Sequence, residues 1–336
     1  MPAYDPNNSD MVGWAGETTL DVEYAHVIAP GASLLLVETP VSETEGVHGF
    51  PQIVKAEEYV IRHHLGDVIS QSFSATEQTF PDRAAVQALR GVYQLAALNH
   101  VTMLAASGDS GAADVKLDES TYYPFPVTSW PDSDPLVTAV GGTQLHVTAA
   151  GKPGAPTVWN DTYNRAANEF VTGNAGPNPL AGGGGRSVLF GRPGYQDGVK
   201  RAVGGHRGVP DISMSAACNG SVDTYGSYYR GTPAGWSPTC GTSEATPLFA
   251  GIVALAAQVA GHPLGPVNPA LYRLAAWHAR GIVDVTKGNT TVSFTQGGRR
   301  HTVRGFTATP GYDLASGVGT VDGAYFVGEL AAAAGH

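Results

Sequence analysis

Charged residues are scarce in this chain of 336 residues. They make up 14% of the sequence, against roughly 25% in an average soluble protein. The 19 basic residues are outnumbered by 29 acidic ones, which gives a formal net charge of −10. This negative balance opposes binding to nucleic acid or to an anionic membrane surface, so neither is an expected partner.

Long apolar runs are also lacking. No uninterrupted apolar stretch approaches the length of about 18 residues that indicates a transmembrane helix, so the sequence predicts none. The first ten residues contain neither a basic segment nor an apolar segment of the kind found in signal peptides. We therefore expect no signal peptide in this chain.

Cysteine is nearly absent, since Cys218 and Cys240 are the two cysteines of the sequence. A disulfide between them would close a loop of modest size and contribute about 3 kcal/mol. Two unpaired, buried thiols are the alternative. We favour the disulfide.

What the chain does have is a regular alternation of helical and strand-like segments. Hydrophobic residues reach 42%, enough for a sizeable core. The predicted helices cover residues 17–28, 52–64, 83–99 and 243–260. The predicted strands cover residues 32–38, 68–73, 101–106 and 136–140. This alternation is typical of an α/β fold with a doubly wound, mostly parallel sheet flanked by helices. The Gly- and Pro-rich stretch 124–235 is interpreted as loops over the sheet, which leaves a single domain over residues 1–336.

Ser243 lies where a Gly-Thr-Ser-x-Ala-x-Pro motif leads into the last predicted helix. Unpaired amides and the positive end of a helix can stabilise an oxyanion, so this position suits a nucleophile. A serine that only caps the helix is the alternative. The motif resembles the nucleophile segment shared by subtilisins and sedolisins.

A histidine base for this serine is not evident. A subtilisin would need a His-Gly-x-His segment, but His48 has no second histidine at that spacing, and the pair His63-His64 fits no better. This disfavours a subtilisin-type serine protease.

A carboxylate base is available instead. Glu17 and Asp21 are four residues apart, which places them on one face of the first predicted helix. In a cleft, two such carboxyls push their titrations apart and share a proton, so one of them could accept a serine proton in acid. A solvated helix face is the alternative.

In their order along the chain, these segments resemble the sedolisin family of serine-carboxyl peptidases. The Glu-x-x-x-Asp helix is followed by Ser-Gly-Asp-Ser-Gly at 107–111 and by Gly-Thr-Ser at 241–243. Further segments in family order are 130–143, 183–187, 207–213 and 311–313. The resemblance covers nearly all of the chain. It implies a subtilisin-like fold and an endopeptidase or tripeptidyl peptidase that acts at acidic pH.

The resemblance also assigns roles to individual residues. It implies that Ser243 is the nucleophile that forms an acyl-enzyme, Glu17 its general base and later acid, and Asp21 the group that orients Glu17. It implies that Asp109 helps to form the oxyanion hole, for which its carboxyl must be protonated to donate a hydrogen bond. For Asp109 taken alone, an ordinary turn aspartate is the alternative.

One structural calcium ion is a further implication of the resemblance. The carboxylates of Asp284 and Asp313, with backbone carbonyls of Val285, Thr309 and Gly311, would give a shell of oxygen ligands suited to Ca²⁺. The family usually has glycine at the position of Thr309. Turn carboxylates are again the alternative.

The start of the chain departs from the family pattern. Catalytic domains of the family carry several tens of residues before the Glu-x-x-x-Asp helix, including a first sheet strand, whereas 16 residues precede Glu17 here. We expect either a fragment of a longer protein or a divergent member with an incomplete sheet. For the parent protein we expect secretion, an N-terminal propeptide, protein or peptide substrates and a monomeric state. A non-catalytic remnant of the fold is the alternative.

Overall fold

The computed structural model describes residues 3–229 and 231–334. Its helices are α1 (Ser9–Ile28), α2 (Phe50–Arg62), α3 (Arg83–Leu89), α4 (Gly91–Leu98), α5 (Arg165–Thr172), α6 (Lys200–Val203), α7 (Thr242–Ala260), α8 (Asn268–Ala276) and α9 (Gly323–Ala334). Its strands are β1 (Val68–Gln71), β2 (Ala75–Thr76), β3 (Thr102–Ala106), β4 (Ser129–Trp130), β5 (Thr138–Gln144), β6 (Thr157–Val158), β7 (Gly185–Gly191), β8 (His206–Val209), β9 (Ile212–Ser215), β10 (Val222–Gly226), β11 (Gly235–Thr239), β12 (Ile282–Val283), β13 (Val292–Gln296), β14 (Arg299–Val303) and β15 (Thr320–Val321).

A parallel sheet lies at the centre of the molecule. β1 pairs with β3, β3 with β5 and β5 with β9, all in parallel, and β6 adds an antiparallel strand to β5. Leu104 of β3 lies opposite Thr138, and Val140 of β5 lies opposite Ile212. Because parallel strands need crossovers, the intervening helices cover the faces of the sheet. The predicted α/β class is confirmed.

Successive residues of β3 show how the two faces are covered. Leu104 packs in a cluster with Phe249 and Val253 of α7. Its neighbours Met103 and Ala105 point to the other face, in a cluster that includes residues of α2, α3 and α4. Alternate side chains of a strand point in opposite directions, so helices lie on both sides of one buried sheet.

Helix α7 is the core helix of the fold. By length and composition it could cross a membrane, with a mean hydropathy of 1.3 over its apolar window, of which 56% is buried inside the protein. It packs against α1, α9 and the central strands. These contacts are those of a core helix of a globular fold.

The strand predicted at 32–38 is wrong. No strand is formed there, and Leu34, Leu35, Leu36 and Val37 are 45%, 54%, 53% and 46% exposed. Strand formation depends on a neighbouring strand that supplies hydrogen bonds and a packing surface. Among the described residues, this apolar run has no strand beside it.

The predicted helices at 52–64 and 243–260 are found within two residues of their expected bounds, and the other two differ more. α1 begins at Ser9, well before residue 17, because the side chain of Asn8 caps it by accepting from the amides of Asp10 and Met11. The helix predicted over 83–99 is divided at Arg90 into α3 and α4, and Gly91, a poor helix former, follows the division.

The two cysteines form the disulfide that the sequence favoured. Cys218 and Cys240 are bonded at an S–S distance of 2.05 Å. The bond closes the base of the hairpin formed by β10 and β11, immediately before the Gly-Thr-Ser segment.

Candidate active site

Ser243 lies in the first turn of α7, directly after a loop that a backbone hydrogen bond holds to the sheet. Gly241 precedes the helix with φ 136°, and its amide donates to the carbonyl of Ala216, just beyond β9, at 2.9 Å. This φ value belongs to the region that favours glycine. The nucleophile turn is thereby fixed to the carboxyl end of β9, a strand of the parallel sheet, and doubly wound folds place their sites at this end of the strands.

The predicted pair of carboxyls faces this serine. Glu17 and Asp21 of α1 lie against α7, and Glu17 lies close enough to Ser243 for the hydroxyl to favour its ionised form. Asp21 accepts a hydrogen bond of 2.7 Å from the hydroxyl of Ser72, which directly follows β1. The structure therefore brings together four residues from three distant parts of the sequence.

Burial changes the acidity of both carboxyls. Desolvation, and then the negative charge of Asp21, raise the pKa of Glu17 well above its ordinary value. Desolvation also raises the pKa of Asp21, to about 7, against the opposing effect of the Ser72 hydrogen bond. Oε1 of Glu17 is buried and has no hydrogen-bond partner among the described residues. Two coupled carboxyls of this kind hold a proton between them under conditions where exposed carboxyls have lost theirs.

Asp109 follows β3 and faces the nucleophile loop. Its Oδ1 accepts from the Thr242 amide at 2.7 Å and from the Thr242 hydroxyl at 2.8 Å. Burial raises the pKa of Asp109, although the bonds from Thr242 lower it. Because Oδ1 already accepts two hydrogen bonds, a proton on this carboxyl belongs on Oδ2, where it can be donated.

Gly241 also makes room for this carboxyl. A Cβ atom at residue 241 would lie 2.6 Å from Oδ2 of Asp109. A side chain at position 241 is therefore excluded both by the backbone angle and by the neighbouring carboxyl group. The close approach of Asp109 is a physical reason for the glycine in the Gly-Thr-Ser motif.

Two adjoining clefts open onto these groups. The first, of about 360 Å³, is lined by Ser243, Thr242, Asp109, Gly108 and Ser72 on one side. The second, of about 540 Å³, is lined by Glu17 and Trp14, and it shares residues 43, 72 and 73 with the first. A bound chain can thus reach both Ser243 and Glu17. Histidine is missing from both linings, which are made entirely of described residues.

Sequence reasoning missed several groups in this region. Ser72 could have been found, because a polar residue at the carboxyl end of a predicted parallel strand is a candidate site residue. Glu43, Glu45 and Asp114 also line the first cleft, and burial raises the pKa of Glu43 to about 7 and that of Glu45 to about 8. No motif marked them.

Four of the five predicted calcium ligands, Asp284, Thr309, Gly311 and Asp313, meet at one loop. Oδ2 of Asp284 accepts from the Gly311 amide at 3.0 Å, and Oδ2 of Asp313 accepts from the Thr309 amide at 2.7 Å. Oδ1 of Asp313 accepts from the amides of Ala315 and Ser316 at 2.9 Å each. Two carboxylates beside backbone carbonyls provide the hard oxygen donors that Ca²⁺ prefers. The residues present fit the ion by donor chemistry.

The family model for Peptidase S8, the subtilase family, matches residues 3–297 of the chain. The chain belongs to the subtilase family. Within the subtilases it is a member of the sedolisin group, which confirms the family that the sequence motifs predicted. The subtilisin-like fold is confirmed with it.

Similar proteins support this placement. Kumamolisin of Bacillus sp. (strain MN-32) is 31% identical over 95% of this chain and 50% of its own length. Tripeptidyl-peptidase 1 of Homo sapiens is 30% identical over 92% of this chain and 50% of its own length. The solved structure of Pseudomonas sedolisin, a serine-carboxyl proteinase complexed with two molecules of pseudo-iodotyrostatin, has a TM-score of 0.74 at 27% identity, covering 93% of this chain and 77% of that chain. This subtilase spans about half the length of the curated relatives it matches.

Proposed function

We propose that this chain hydrolyses peptide bonds at acidic pH as a serine-carboxyl peptidase. The observation that carries the proposal is the buried Glu17–Asp21 pair beside Ser243, at two adjoining clefts whose linings contain no histidine. A carboxyl with a raised pKa is a suitable proton acceptor and donor in acid, where an imidazole would be fully charged.

In the proposed reaction, the hydroxyl of Ser243 attacks the peptide carbonyl and its proton passes to Glu17. Glu17 then gives that proton to the leaving amine, and an acyl-enzyme remains on Ser243. Water hydrolyses the acyl-enzyme with Glu17 again acting as base. Asp21, held by Ser72, orients Glu17 and shares its proton. Asp109 donates a hydrogen bond from its protonated Oδ2 to the oxyanion, as do amides at the start of α7.

The proposed roles imply a dependence on pH with two limbs. Activity needs Glu17 ionised and Asp109 protonated, so the rate rises as Glu17 loses its proton and falls as Asp109 loses its own. Such a profile is bell-shaped whichever of the two pKa values is higher. We expect the falling limb to lie below or near neutral pH.

We also propose one structural Ca²⁺ ion, held by the carboxylates of Asp284 and Asp313 and the carbonyls of Val285, Thr309 and Gly311. Support comes from the convergence of both carboxyls on the 309–313 loop. When bound, the ion would tie that loop to the segment that follows β12. The ion takes no part in the proposed chemistry.

For the parent protein we propose secretion, an N-terminal propeptide that assists folding, and a monomeric state. The disulfide between Cys218 and Cys240 supports an oxidising compartment. Kumamolisin, at 31% identity, covers twice the length of this chain, which leaves room for a propeptide in a longer parent.

The test is to incubate the purified chain with an acid-denatured protein substrate from acidic to neutral pH and to sequence the products. Cleavage in acid that is lost in Ser243→Ala supports the proposal. Products shortened by three residues from the amino terminus indicate a tripeptidyl peptidase, and internal cuts indicate an endopeptidase. A maximum above neutral pH would favour a subtilisin-type mechanism, and a folded protein without cleavage would favour a non-catalytic remnant.

A further inference from the structure

Along the chain, the hairpin of β10 and β11 lies between β9 of the parallel sheet and Ser243. It is inserted after β9 and ends at Cys240, three residues before Ser243. Its strands pair in register from Val222 opposite Thr239 to Gly226 opposite Gly235. The disulfide between Cys218 and Cys240 joins the two ends of this insertion. The hairpin is therefore linked covalently, at its base, to the turn that carries the nucleophile.

The base of the hairpin is also held to the core. The amide of Cys218 donates to Oδ2 of Asp161 at 3.1 Å, and the same oxygen accepts from Nε1 of the buried Trp159 at 2.8 Å. The amide of Gly241, on the other side of the disulfide, is bonded to the carbonyl of Ala216. Both ends of the insertion are fixed relative to the sheet. An element that the hairpin contacts is therefore held in place relative to the sheet as well.

Its far side reaches α1, the helix that carries Glu17 and Asp21. The hydroxyl of Tyr24 donates to the carbonyl of Asp223 at 2.8 Å, and the amide of Tyr225 approaches the carboxylate of Glu23 at 3.3 Å. Tyr24 is seven residues after Glu17 and three after Asp21, so all three residues lie on one face of the helix. Through Tyr24, the hairpin thus contacts α1 on the same face as the two carboxyls, and the contact with Glu23 lies beside it.

Two aromatic rings make a second contact beside Glu17 itself. A Cβ atom at Gly16 would lie 3.5 Å from the hydroxyl oxygen of Tyr228 and 3.9 Å from that of Tyr229. The hydroxyl of Tyr4, ahead of α1, donates to the carbonyl of Tyr228 at 2.7 Å. The residues that follow β10 therefore touch α1 at the turn of the proposed base.

α1 has a different attachment at its other end. Ile28 packs so closely on α7 that a Cβ atom at Gly251 would lie 2.6 Å from it. This contact fixes the end of α1 that is most distant from Glu17. The turn that carries Glu17 also packs on α7, and the hairpin provides further contacts there.

We propose that the disulfide-closed hairpin β10–β11 helps to position Glu17 and Asp21 against Ser243, together with the packing of α1 on α7, with Tyr24 as a positioning residue. This inference rests on the proposed function. The base must lie within hydrogen-bond reach of the serine, and small displacements of a catalytic group are costly in rate. The loop closed by the disulfide is followed after three residues by Ser243, and its hairpin contacts α1, which carries Glu17.

The first experiment compares Tyr24→Phe with Tyr59→Phe, an exposed tyrosine of α2, as the matched control. Loss of the bond to the Asp223 carbonyl should lower kcat about threefold to tenfold, with KM nearly unchanged, and should move the rising limb of the pH profile. The control should match the parent. A parental kcat and pH profile in Tyr24→Phe would overturn the role of Tyr24.

The second experiment needs no activity. Hydrogen exchange of the residues of α1 is measured in the oxidised protein, in the protein reduced by a phosphine, and in Cys218→Ser/Cys240→Ser, with α4 and β3 as internal references. Opening the disulfide should speed exchange in α1 and leave the references unchanged. Equal exchange in α1 would overturn the proposal, whether or not the parent cleaves peptides. If the unsubstituted protein cleaves no peptides but shows the expected exchange pattern, only the proposed function is contradicted. If the double variant fails to fold, reduction of the parent and Tyr24→Phe give the answer.

Discussion

The hydroxyl of Ser72 donates a 2.7 Å hydrogen bond to Oδ1 of Asp21 and so joins the end of β1 to the middle of α1. This bond favours the ionised form of Asp21, against the desolvation that raises the pKa of Asp21 to about 7. A buried carboxyl pair keeps its charge only if such donors are present. Ser72 therefore helps to decide which carboxyl of the pair carries the proton.

Removing this donor should impair catalysis without unfolding the protein. In Ser72→Ala, the pKa of Asp21 should rise further and Glu17 should lose its oriented partner. We expect kcat to fall about tenfold, which corresponds to roughly 1.4 kcal/mol. Ser33→Ala, at an exposed position, is the control and should behave as the parent. The proposed role of Ser72 would be wrong if both variants gave the same pH profile of kcat.

The nucleophile and its base should act as a unit. Ser243→Ala and Glu17→Gln should each lower kcat by about 10⁴ or more, and the double variant should be little worse than the poorer single one. Asp21→Asn should retain more activity, because its proposed role is orientation. The measurement is the rate of peptide cleavage, with folding checked by circular dichroism. Parental activity in Glu17→Gln would rule out the serine-carboxyl mechanism even if Ser243 were essential.

Asp109 should set the falling limb of the pH profile. Asp109→Asn keeps an acceptor for Thr242 and replaces the proton on Oδ2 by an amide donor that does not titrate. Its activity should be lower than that of the parent in acid but should no longer fall toward neutral pH. Asp109→Ala lacks the donor and should be nearly inactive. The check is kcat measured across the pH range, and an unchanged falling limb in Asp109→Asn would contradict the assignment.

Stability should decrease from acidic to neutral pH. Burial raises the pKa of Glu57 in α2 to about 8, and its Oε2 has no partner among the described residues. A carboxyl whose pKa is higher in the folded state binds its proton more tightly there. Its contribution is therefore complete below the unfolded pKa and is lost as the pH rises through about 8.

Glu57→Gln keeps the neutral shape and removes this titration. Between about pH 4 and pH 8, the free energy of unfolding of the parent should fall relative to that of the variant, by up to roughly 4 kcal/mol. Thermal unfolding at several pH values measures the difference. Glu58→Gln is the matched control, since Glu58 has 43% of its side chain exposed and pairs with Arg62. Parallel curves for the parent and Glu57→Gln would contradict the prediction.

Calcium should stabilise the fold. Selective binding to the native state adds about 2.7 kcal/mol when free calcium exceeds its Kd about 100-fold, so Tm should be higher in millimolar Ca²⁺ than in EDTA. The difference should disappear in Asp284→Asn and persist in Asp118→Asn, an exposed control. Equal Tm values in calcium and EDTA for the parent would refute the site.

The sequence by itself determined the class of fold and the identity of the main site candidates. The segments at 68–71 and 102–106 became neighbouring strands of the parallel sheet because they pair with each other and helices cover both faces of the sheet. The Gly-Thr-Ser and Glu-x-x-x-Asp motifs named Ser243, Glu17 and Asp21 because their chemistry depends on residue type and local spacing, which a sequence contains.

Only the tertiary structure decided how these residues meet and which local patterns hold. Leu34–Val37 has the composition of a strand, yet it stays exposed because strand formation needs a partner that is distant in sequence. The roles of Ser72, Thr242 and the hairpin could be inferred only from the folded structure, in which β1, α7 and α1 come together. Hydrogen bonds to buried carboxyls, and the pKa shifts that follow from burial, depend on contacts across the whole chain and not on any short segment.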